Sequence, residues 1–174
     1  MTAASAFAAD VLARAAAVRL FVTDADGVWT DGRILVHPDG GESLAFHVHD
    51  GYALRRLQEA GVEMAVISGR ESRALEQRAR RLGVAELRMG DLDKGPLLEE
   101  LVRARGLQRG QVAAMGDDLP DLALFARAGL SIAPPHAVDA VRARADYITR
   151  AAGGAGALRE ACELLLAALG KPLR

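Results

Sequence analysis

Two carboxylates one residue apart, at the end of a short apolar run, are the groups of this chain best placed to do chemistry. Asp24 and Asp26 follow the run 19–23 and precede Gly27. The β-branched and aromatic residues of that run indicate a buried strand, whose carboxyl end would border the ligand crevice of an open α/β sheet. Carboxylates held this close repel one another unless a cation or a proton lies between them. The spacing therefore suits a Mg²⁺-dependent nucleophile with an acid/base partner, with a plain polar turn as the alternative.

Two groups that could bind an anion follow later predicted strands. Ser68 and Gly69 come directly after the apolar run 62–67 and before a helical pattern. A hydroxyl and backbone N–H groups at the start of a helix favour an anion, helped by the helix dipole. Lys94 opens a later helical pattern, where a lysine is more often a solvated surface charge.

A second acidic cluster follows the predicted strand 112–115. It consists of Asp117, Asp118 and Asp121. A helix N-cap accounts for one of these aspartates but not easily for all three. The cluster is therefore a candidate for metal binding.

Together these groups have the chemistry of phosphoryl transfer. Asp24 would attack phosphorus to form an aspartyl-phosphate, and Asp26 would protonate the leaving alkoxide and then activate water. Asp24, the backbone carbonyl of Asp26 and Asp117 would hold Mg²⁺. Ser68 and Lys94 would bind the remaining phosphate oxygens and neutralise charge in the transition state.

The elements that must position these groups alternate between strand and helix. Strands are predicted at 18–23, 62–67, 86–89, 112–115, 130–133 and 147–148, and helices at 3–16, 50–60, 71–82, 94–105, 119–128, 137–143 and 158–169. This alternation predicts parallel βαβ units in an α/β fold with a Rossmann-like, doubly wound parallel sheet. Strand-like runs at 33–36 and 42–49 around an Asp-Gly-Gly turn predict a β-hairpin insertion over 33–49.

Composition bounds the class of protein. The chain has 174 residues, 51% of them hydrophobic, which suits a single domain over 1–174. A net charge of −1 without a basic block argues against a nucleic-acid partner. No apolar run reaches the roughly 18 residues of a membrane span, and no signal peptide is recognisable. Cys162 has no partner for a disulfide within the chain, so we expect a buried structural thiol in a protein of the reducing cytoplasm.

The catalytic groups occur in the order of a known superfamily. Asp24 with Asp26, then Ser68, Lys94, and Asp117 with Asp121, resemble the four motifs of the haloacid dehalogenase phosphatases. Longer segments extend the likeness over most of the chain: 26–32, the hairpin, 49–52, 67–70, 116–118 and 145–149. In these the chain is similar to the 3-deoxy-D-manno-octulosonate 8-phosphate phosphatases and their nonulosonate 9-phosphate relatives.

The resemblance implies an architecture and an assembly. The hairpin would stand in place of a large cap domain. Family members form homotetramers in which the hairpins pack together and residues of a neighbouring subunit help to close the site. A phosphorylated sugar acid is the implied substrate.

The resemblance also implies roles for individual residues. Asp118 would support the metal ligands, Asp121 would orient Lys94, and Arg70 would suit the carboxylate of a sugar acid. Arginines on helices, however, more often belong to a solvated face. The implied substrate contacts are His47, Val48, His49, Asp50, Gly51, Arg55, Arg70 and Arg78.

Three positions depart from the octulosonate pattern. His47 and His49 stand where that pattern has Asn and Arg, and Ala155 stands where a tail arginine would reach an adjoining subunit's site. Two cationic contacts are therefore missing, and the substrate stays open between octulosonate 8-phosphate and another sugar phosphate, such as a nonulosonate 9-phosphate. Strand alternation predicts that His47 and His49 share one face of the hairpin. Trp29 either narrows the mouth of the site or fills space beneath the hairpin.

Three other functions compete with a phosphatase. A non-catalytic, tetramer-forming module of this fold would have lost a nucleophile or a metal ligand, and this chain keeps both. A phospho-acceptor signalling domain places adjacent acids on its first strand and the acceptor on a later one, unlike the spacing of Asp24 and Asp26. A phosphomutase must exclude water, usually with a large lid, and the predicted hairpin is small for that task.

Overall fold

Six parallel strands with helices on both faces form the frame of the protein. The structure is a computed structural model and describes residues 7–173. The strands of the main sheet are β1 (Leu20–Thr23), β4 (Glu63–Ser68), β5 (Glu86–Met89), β6 (Val112–Met115), β7 (Leu130–Ala133) and β8 (Tyr147–Ile148), and β2 (Leu35–Val36) and β3 (Glu42–Ser43) form a separate hairpin. The helices are α1 (Ala9–Ala15), α2 (Val48–Glu59), α3 (Arg73–Leu82), α4 (Lys94–Ala104), α5 (Leu122–Phe125), α6 (Asp139–Arg142) and α7 (Ala157–Ala168). The predicted α/β class with a doubly wound parallel sheet is confirmed.

The order of the strands places β1 at the centre of the sheet. The order is β5-β4-β1-β6-β7-β8, so that the chain builds outward from β1 first in one direction and then in the other. Val22 pairs with Ala65 of β4 on one side and with Ala114 of β6 on the other. A sheet of this order opens a crevice at the carboxyl ends of the strands beside the reversal. The segments that follow β1, β4 and β6 therefore meet at one edge.

Alternation along β1 decides which face of the sheet each side chain enters. Leu20 and Val22 belong to a buried cluster with α4 and α5, whereas Phe21 belongs to the cluster with α1, α2 and α7. Successive side chains of a strand point to opposite faces. Asp24 continues the series of Leu20 and Val22, on the side where α4 begins with Lys94.

The hairpin is shorter than the sequence pattern predicts. Only two residue pairs form, Leu35 with Ser43 and Val36 with Glu42. The connecting turn closes through Gly40, whose φ of +82° is a conformation that glycine adopts at little cost. The strand predicted over 42–49 therefore ends at residue 43.

The segment after the hairpin is helical earlier than predicted. α2 begins at Val48, so His47 precedes the helix and His49 lies in its first turn. The prediction that the two histidines share a strand face is wrong, although their rings still meet edge to face with centroids 4.9 Å apart. Asp50 lies in the first turn of α2, where a carboxylate complements the helix dipole.

The helix predicted over 119–128 is also broken up. A 3₁₀ turn, Leu119–Asp121, leads into the short helix α5. The Asp118 carboxylate accepts a hydrogen bond from the Leu119 N–H at 2.8 Å, and the Asp121 carboxylate turns back to the preceding N–H groups. These reciprocal bonds tighten the turn and so fix the direction of the Asp121 side chain.

Two open points on buried residues are settled by the core. Trp29 is 2% exposed and its Nε1 donates to Thr23 Oγ1 at 2.8 Å, so it fills space in the core and does not narrow the mouth of the site. Cys162 is fully buried on α7, and burial raises the pKa of its thiol, as expected of a structural cysteine.

Of the helix predicted over 3–16, α1 covers Ala9–Ala15, and residues 3–6 lie outside the described residues. Across 7–173, no helix combines the length and the apolar character needed to cross a membrane.

Asp146 ties the first helix to the edge of the sheet. Its carboxylate accepts hydrogen bonds from Arg14 Nη1 and Nη2 at 2.7 and 2.8 Å and from the Ser131 backbone N–H and Oγ at 2.8 and 2.7 Å. Burial alone would raise the pKa of this carboxyl, but Arg14 and Ser131 outweigh burial and hold the pKa below its usual value. Ionised Asp146 therefore stabilises the fold above the unfolded-state pKa, and this contribution disappears as the pH falls through the lower folded-state pKa.

We predict that Asp146→Asn lowers the free energy of unfolding by about 1–2 kcal/mol at neutral pH, because charge-assisted hydrogen bonds are lost. The effect should shrink at the lowest pH at which the wild-type fold persists, since Asp146 is then protonated too. Denaturant unfolding at both pH values measures it. Asp139→Asn is the matched control, since Asp139 is 92% exposed and pairs with Arg142 within α6, and it should change little. An effect of Asp146→Asn that does not depend on pH would contradict the prediction.

Candidate active site

A buried lysine joins two of the carboxylates at the crevice. Lys94 Nζ donates to Asp24 Oδ1 and to Asp121 Oδ1, each at 2.6 Å. Lys94 is only 3% exposed, so the alternative of a solvated surface charge is wrong. Burial alone would lower the pKa of this lysine, but the charges of Asp24 and Asp121 raise it above its usual value. The ammonium therefore stays charged inside the protein.

The carboxylates around this lysine repel one another. Burial, together with the charge of Asp121, raises the pKa of Asp24 to about 6 against the opposing effect of Lys94. Burial and the charges of Asp24, Asp121 and Asp118 raise the pKa of Asp117 to about 7. Asp117 Oδ1 is buried and has no hydrogen-bond partner among residues 7–173. A cation beside these oxygens would relieve both the crowding and the unpaired atom.

The oxygens gathered at the crevice fit a hard divalent cation. One carboxylate oxygen each from Asp24, Asp117 and Asp121 lie within 4.8 Å of one another. Both oxygens of Asp121 are already engaged, however, because Oδ1 accepts from Lys94 and Oδ2 accepts from the N–H groups of Asp117 and Asp118 at 2.9 and 3.1 Å. Asp24 and Asp117 are therefore the carboxylates left for a metal. All-oxygen donors of this kind suit Mg²⁺.

The Asp26 carboxylate faces a different partner. Arg70 Nε and Nη2 donate to its two oxygens at 3.2 Å each. Arg70 Nη1 donates to Glu42 Oε2 at 2.6 Å, and Glu42 Oε1 accepts from Ser72 Oγ at 2.7 Å. Since its side chain is held by Arg70, the backbone carbonyl is the group of Asp26 left for a metal.

The anion-binding groups predicted after β4 line the same cavity. Ser68 ends β4 and is 2% exposed, and its Oγ accepts from the Arg70 N–H at 3.3 Å. An open cavity of about 480 Å³ is lined by Asp24, Asp26, Gly32, Ser68, Gly69, Arg70, Leu92, Lys94, Asp117, Asp118, Pro120 and Asp121. The structure thus brings together every residue that the sequence assigned to the metal, the phosphate or the support of the two.

The predicted substrate contacts are divided between two places. Among the eight, only Arg70 lines the cavity around Asp24 in the described part of the chain. His47, Asp50, Gly51 and Arg78 line a separate narrow cleft under Phe46 and beside α3. The remaining three residues of the set, Val48, His49 and Arg55, line neither place and are exposed, and Arg55 Nη2 donates to the Arg81 carbonyl at 2.8 Å.

Polar atoms in this narrow cleft are left unpaired. His47 Nδ1, Asp50 Oδ2 and Arg78 Nε are buried without a hydrogen-bond partner within the described residues. The other oxygen of Asp50 accepts from the Arg159 N–H at 2.8 Å, at the first turn of α7. Unpaired buried polar atoms cost free energy, and in this structure the cleft has no room for a water molecule that could pair with them.

Support for the loop after β1 comes from residues that sequence reasoning missed. His136 Nε2 lies 3.1 Å from the Gly27 carbonyl and donates to it, and a Cβ at Gly153 would lie 1.8 Å from the same oxygen. Gly27 itself has a φ of +84°, and a Cβ there would lie 2.1 Å from Asp117 Oδ2. The glycine after the acid pair is visible in the sequence, but nothing local signals His136, which is 109 positions away.

Comparison with known proteins agrees with this geometry. The model of a family described as haloacid dehalogenase-like hydrolase matches residues 83–159, which include Lys94 and Asp117. A curated relative, the 3-deoxy-D-manno-octulosonate 8-phosphate phosphatase of Yersinia pestis, is 43% identical, over 93% of this chain and 87% of its own length. The corresponding phosphatase of Escherichia coli K12 is 42% identical, over 94% of this chain and 87% of its own.

Solved structures extend the likeness to three dimensions. The 3-deoxy-D-manno-octulosonate 8-phosphate phosphatase of Moraxella catarrhalis, in complex with magnesium, phosphate and KDO, superposes with a TM-score of 0.91 at 39% identity, over 92% of each chain. The cobalt-bound phosphatase of Haemophilus influenzae gives a TM-score of 0.87 at 35% identity, over 91% of this chain and 92% of that one.

Fold and site together define a haloacid dehalogenase-like hydrolase, with its acid pair after the central strand and its lysine at the start of α4. The chain is therefore a phosphoric monoester hydrolase, as the sequence predicts. Within the class, this chain belongs to the family of 3-deoxy-D-manno-octulosonate 8-phosphate phosphatases. The magnesium ion in the Moraxella structure and the acidic cluster of this chain support the predicted Mg²⁺ cofactor.

We predict that Gly27→Ala lowers phosphatase activity about a hundredfold, because the new Cβ displaces the Asp117 carboxylate. Steady-state phosphate release and Mg²⁺ titration measure the effect, and the Mg²⁺ concentration at half-maximal activity should rise. Gly40→Ala is the matched control: its φ of +82° brings the same backbone strain of about 1 kcal/mol, but its Cβ would meet no atom within 4 Å. If the two variants lose activity equally, Gly27 contributes only its backbone conformation.

Proposed function

We propose that this protein is a Mg²⁺-dependent phosphatase that hydrolyses 3-deoxy-D-manno-octulosonate 8-phosphate through an aspartyl-phosphate on Asp24. The observation that carries the proposal is the buried contact of 2.6 Å between Lys94 and Asp24, in a cavity that also contains Asp117 and Ser68. The names of the most similar relatives support the choice of substrate.

The first chemical step is assigned to Asp24. Its carboxylate attacks the phosphorus atom, the bond from phosphorus to the sugar oxygen breaks, and an acyl phosphate forms on Asp24. Asp26 must carry a proton when the ester is bound, and it gives that proton to the leaving alkoxide in the same step. When bound to Asp24, Asp117 and the Asp26 carbonyl, Mg²⁺ supplies positive charge that favours the ionised carboxylates and the phosphate oxygens.

The second step returns the enzyme to its starting state. Asp26, now a carboxylate, takes a proton from a water molecule that attacks the acyl phosphate. The bond from phosphorus to the Asp24 oxygen breaks, and inorganic phosphate leaves. The same aspartate thus acts first as an acid and then as a base, which the solvent-accessible position of its side chain, 28% exposed, permits.

Lys94, Ser68 and Gly69 are assigned to the transferred phosphoryl group. Lys94 already contacts the attacking carboxylate, so its ammonium lies close to where negative charge develops. Ser68 Oγ and the N–H of Gly69 lie at the end of β4, on the other side of β1 from Asp117. Asp121 holds Lys94, and Asp118 caps the turn that contains Asp121.

The sugar-acid part of the substrate is assigned to the predicted contact set. Arg70 lines the cavity directly, whereas His47, Asp50 and Arg78 line the separate narrow cleft, and their assignment rests on the resemblance to the octulosonate phosphatases. Val48, His49, Gly51 and Arg55 complete the set. Because His47, His49 and Ala155 replace two cationic contacts and an amide, a nonulosonate 9-phosphate is the alternative substrate.

We further propose a single domain over 1–174 with the hairpin in place of a cap, assembled as a homotetramer in the cytoplasm. Three exposed apolar side chains on or beside β2, Ile34, Leu35 and Val36, support packing of the hairpin against other copies. Packing of this kind would add walls to a cavity that is open in one chain. The same packing would also be expected of the alternative function, a tetramer-forming module without catalytic activity.

The test is phosphate release from octulosonate 8-phosphate, a nonulosonate 9-phosphate and simple hexose phosphates, with Mg²⁺ and with a chelator. We expect Mg²⁺-dependent release with preference for octulosonate 8-phosphate, and loss of turnover by at least about a thousandfold in Asp24→Asn. Asp39→Asn, in the exposed hairpin turn, is the matched control and should keep full activity. Preference for a nonulosonate phosphate would indicate that His47 and His49 determine the choice of substrate. No release of phosphate from any ester would favour the non-catalytic, tetramer-forming module.

A further inference from the structure

Glu42 of the hairpin is connected to Asp26 through a single guanidinium. Arg70 uses Nε and Nη2 for the two oxygens of Asp26, and it uses its remaining nitrogen, Nη1, for Glu42. The contact to Glu42, at 2.6 Å, is shorter than the two to Asp26, at 3.2 Å each. Because a guanidinium is planar and rigid, an acceptor fixed at Nη1 also sets the plane in which the other N–H groups meet Asp26.

Glu42 is itself held in place from two directions. It lies in β3, opposite Val36 of β2, and its Oε1 accepts from Ser72 Oγ at 2.7 Å. Ser72 in turn caps α3 by accepting from the Leu75 N–H. The hairpin and the start of α3 therefore fix the carboxylate that faces Arg70.

The three charged side chains are partly shielded from water. Their exposed fractions are 31% for Arg70, 28% for Asp26 and 27% for Glu42. Without Glu42, the long Arg70 side chain would gain rotamer freedom toward solvent, and its two weaker contacts to Asp26 would loosen. Glu42 and Asp26 thus share Arg70 as a partner without a hydrogen bond to each other.

We propose that Glu42 is a positioning residue for phosphate-ester hydrolysis, which holds Arg70 in the orientation that fixes the Asp26 carboxyl group at the wall of the cavity. The inference rests on the proposed function, since it needs Asp26 as the acid and base. It assigns to Arg70 a task in the chemical step besides contact with the sugar acid. It also makes the hairpin a determinant of turnover and not only of access.

The test measures kcat and KM for octulosonate 8-phosphate at saturating Mg²⁺ in Glu42→Ala and Glu42→Gln. We expect kcat of Glu42→Ala to fall about tenfold, with KM within about twofold, because orientation and not binding is lost. Glu42→Gln should recover most of kcat, since its amide oxygen can accept from Arg70 Nη1 while its NH₂ donates to Ser72 Oγ. In an Arg70→Ala background, Glu42→Ala should lower kcat no further, because Glu42 acts through Arg70.

Glu71→Ala is the matched control: it removes an exposed carboxylate from the same loop as Arg70, and kcat should be unchanged. Thermal midpoints of all variants separate folding from turnover, and if Glu42→Ala does not fold, Glu42→Asp, which retracts the carboxylate, replaces it with the same expected fall. Unchanged kcat, failure of Glu42→Gln to restore kcat, additivity with Arg70→Ala, or a higher KM at full kcat would each overturn the inference. A wild-type enzyme that releases no phosphate would overturn the proposed function together with it.

Discussion

Charge crowded around one buried ammonium is the constraint on which the rest of the site depends. Lys94 contacts Asp24 and Asp121, and Asp117 lies within reach of both carboxylates. One ammonium cannot neutralise three carboxylates, and burial strengthens their repulsion. Burial first, and then the charges of the neighbouring aspartates, raise the pKa of Asp24 and the pKa of Asp117. A divalent cation restores the balance, and the same ion makes the Asp24 carboxylate available as a nucleophile in the proposed reaction.

The parallel sheet brings these side chains together because the carboxyl ends of three adjacent strands lie at one edge. Asp24 follows β1, and Ser68 and Asp117 lie at the ends of the two strands that flank it. Alternation along β1 places Asp24 on the face of the sheet where α4 starts. Lys94, the first residue of α4, therefore reaches Asp24 from the end of the helix. The backbone N–H groups of Asp117 and Asp118, just before the 3₁₀ turn, donate to one oxygen of Asp121, which leaves its other oxygen for Lys94. Ordinary secondary structure therefore stabilises an arrangement that would be unfavourable in isolation.

Residues that mark the ends of strands could be predicted from the sequence, because an apolar run that stops at a carboxylate or a serine is a local signal. Asp24, Ser68 and Asp117 were found in this way, and the structure gathers them with Lys94 in one cavity. The same local reasoning failed for the hairpin, where the apolar pattern of 44–49 reads as a strand but lacks a pairing partner beyond Ser43. It also placed His47 and His49 on a shared strand face, whereas a helix begins between them.

Contacts between distant segments were beyond the sequence for a different reason. Glu42 and Arg70 are 28 positions apart, and Glu42 and Ser72 are 30 apart, so no periodicity links them. A glutamate in a hairpin and a serine before a helix each have an ordinary local explanation, as a solvated charge and as an N-cap. Only the fold reveals that Glu42 and Arg70 connect the acid/base candidate to the hairpin, and that Ser72 connects Glu42 to α3.

The most direct test of the central claim is a search for the covalent intermediate. The wild-type enzyme with Mg²⁺ and octulosonate 8-phosphate is quenched in acid during the first turnover, reduced with borohydride, digested and mapped by mass spectrometry. The account predicts that Asp24, and no other carboxylate, is phosphorylated before reduction and converted to homoserine by it. Full phosphate release with an unmodified Asp24 at every quench time, or modification at Asp26 or Asp117 instead, would contradict the account.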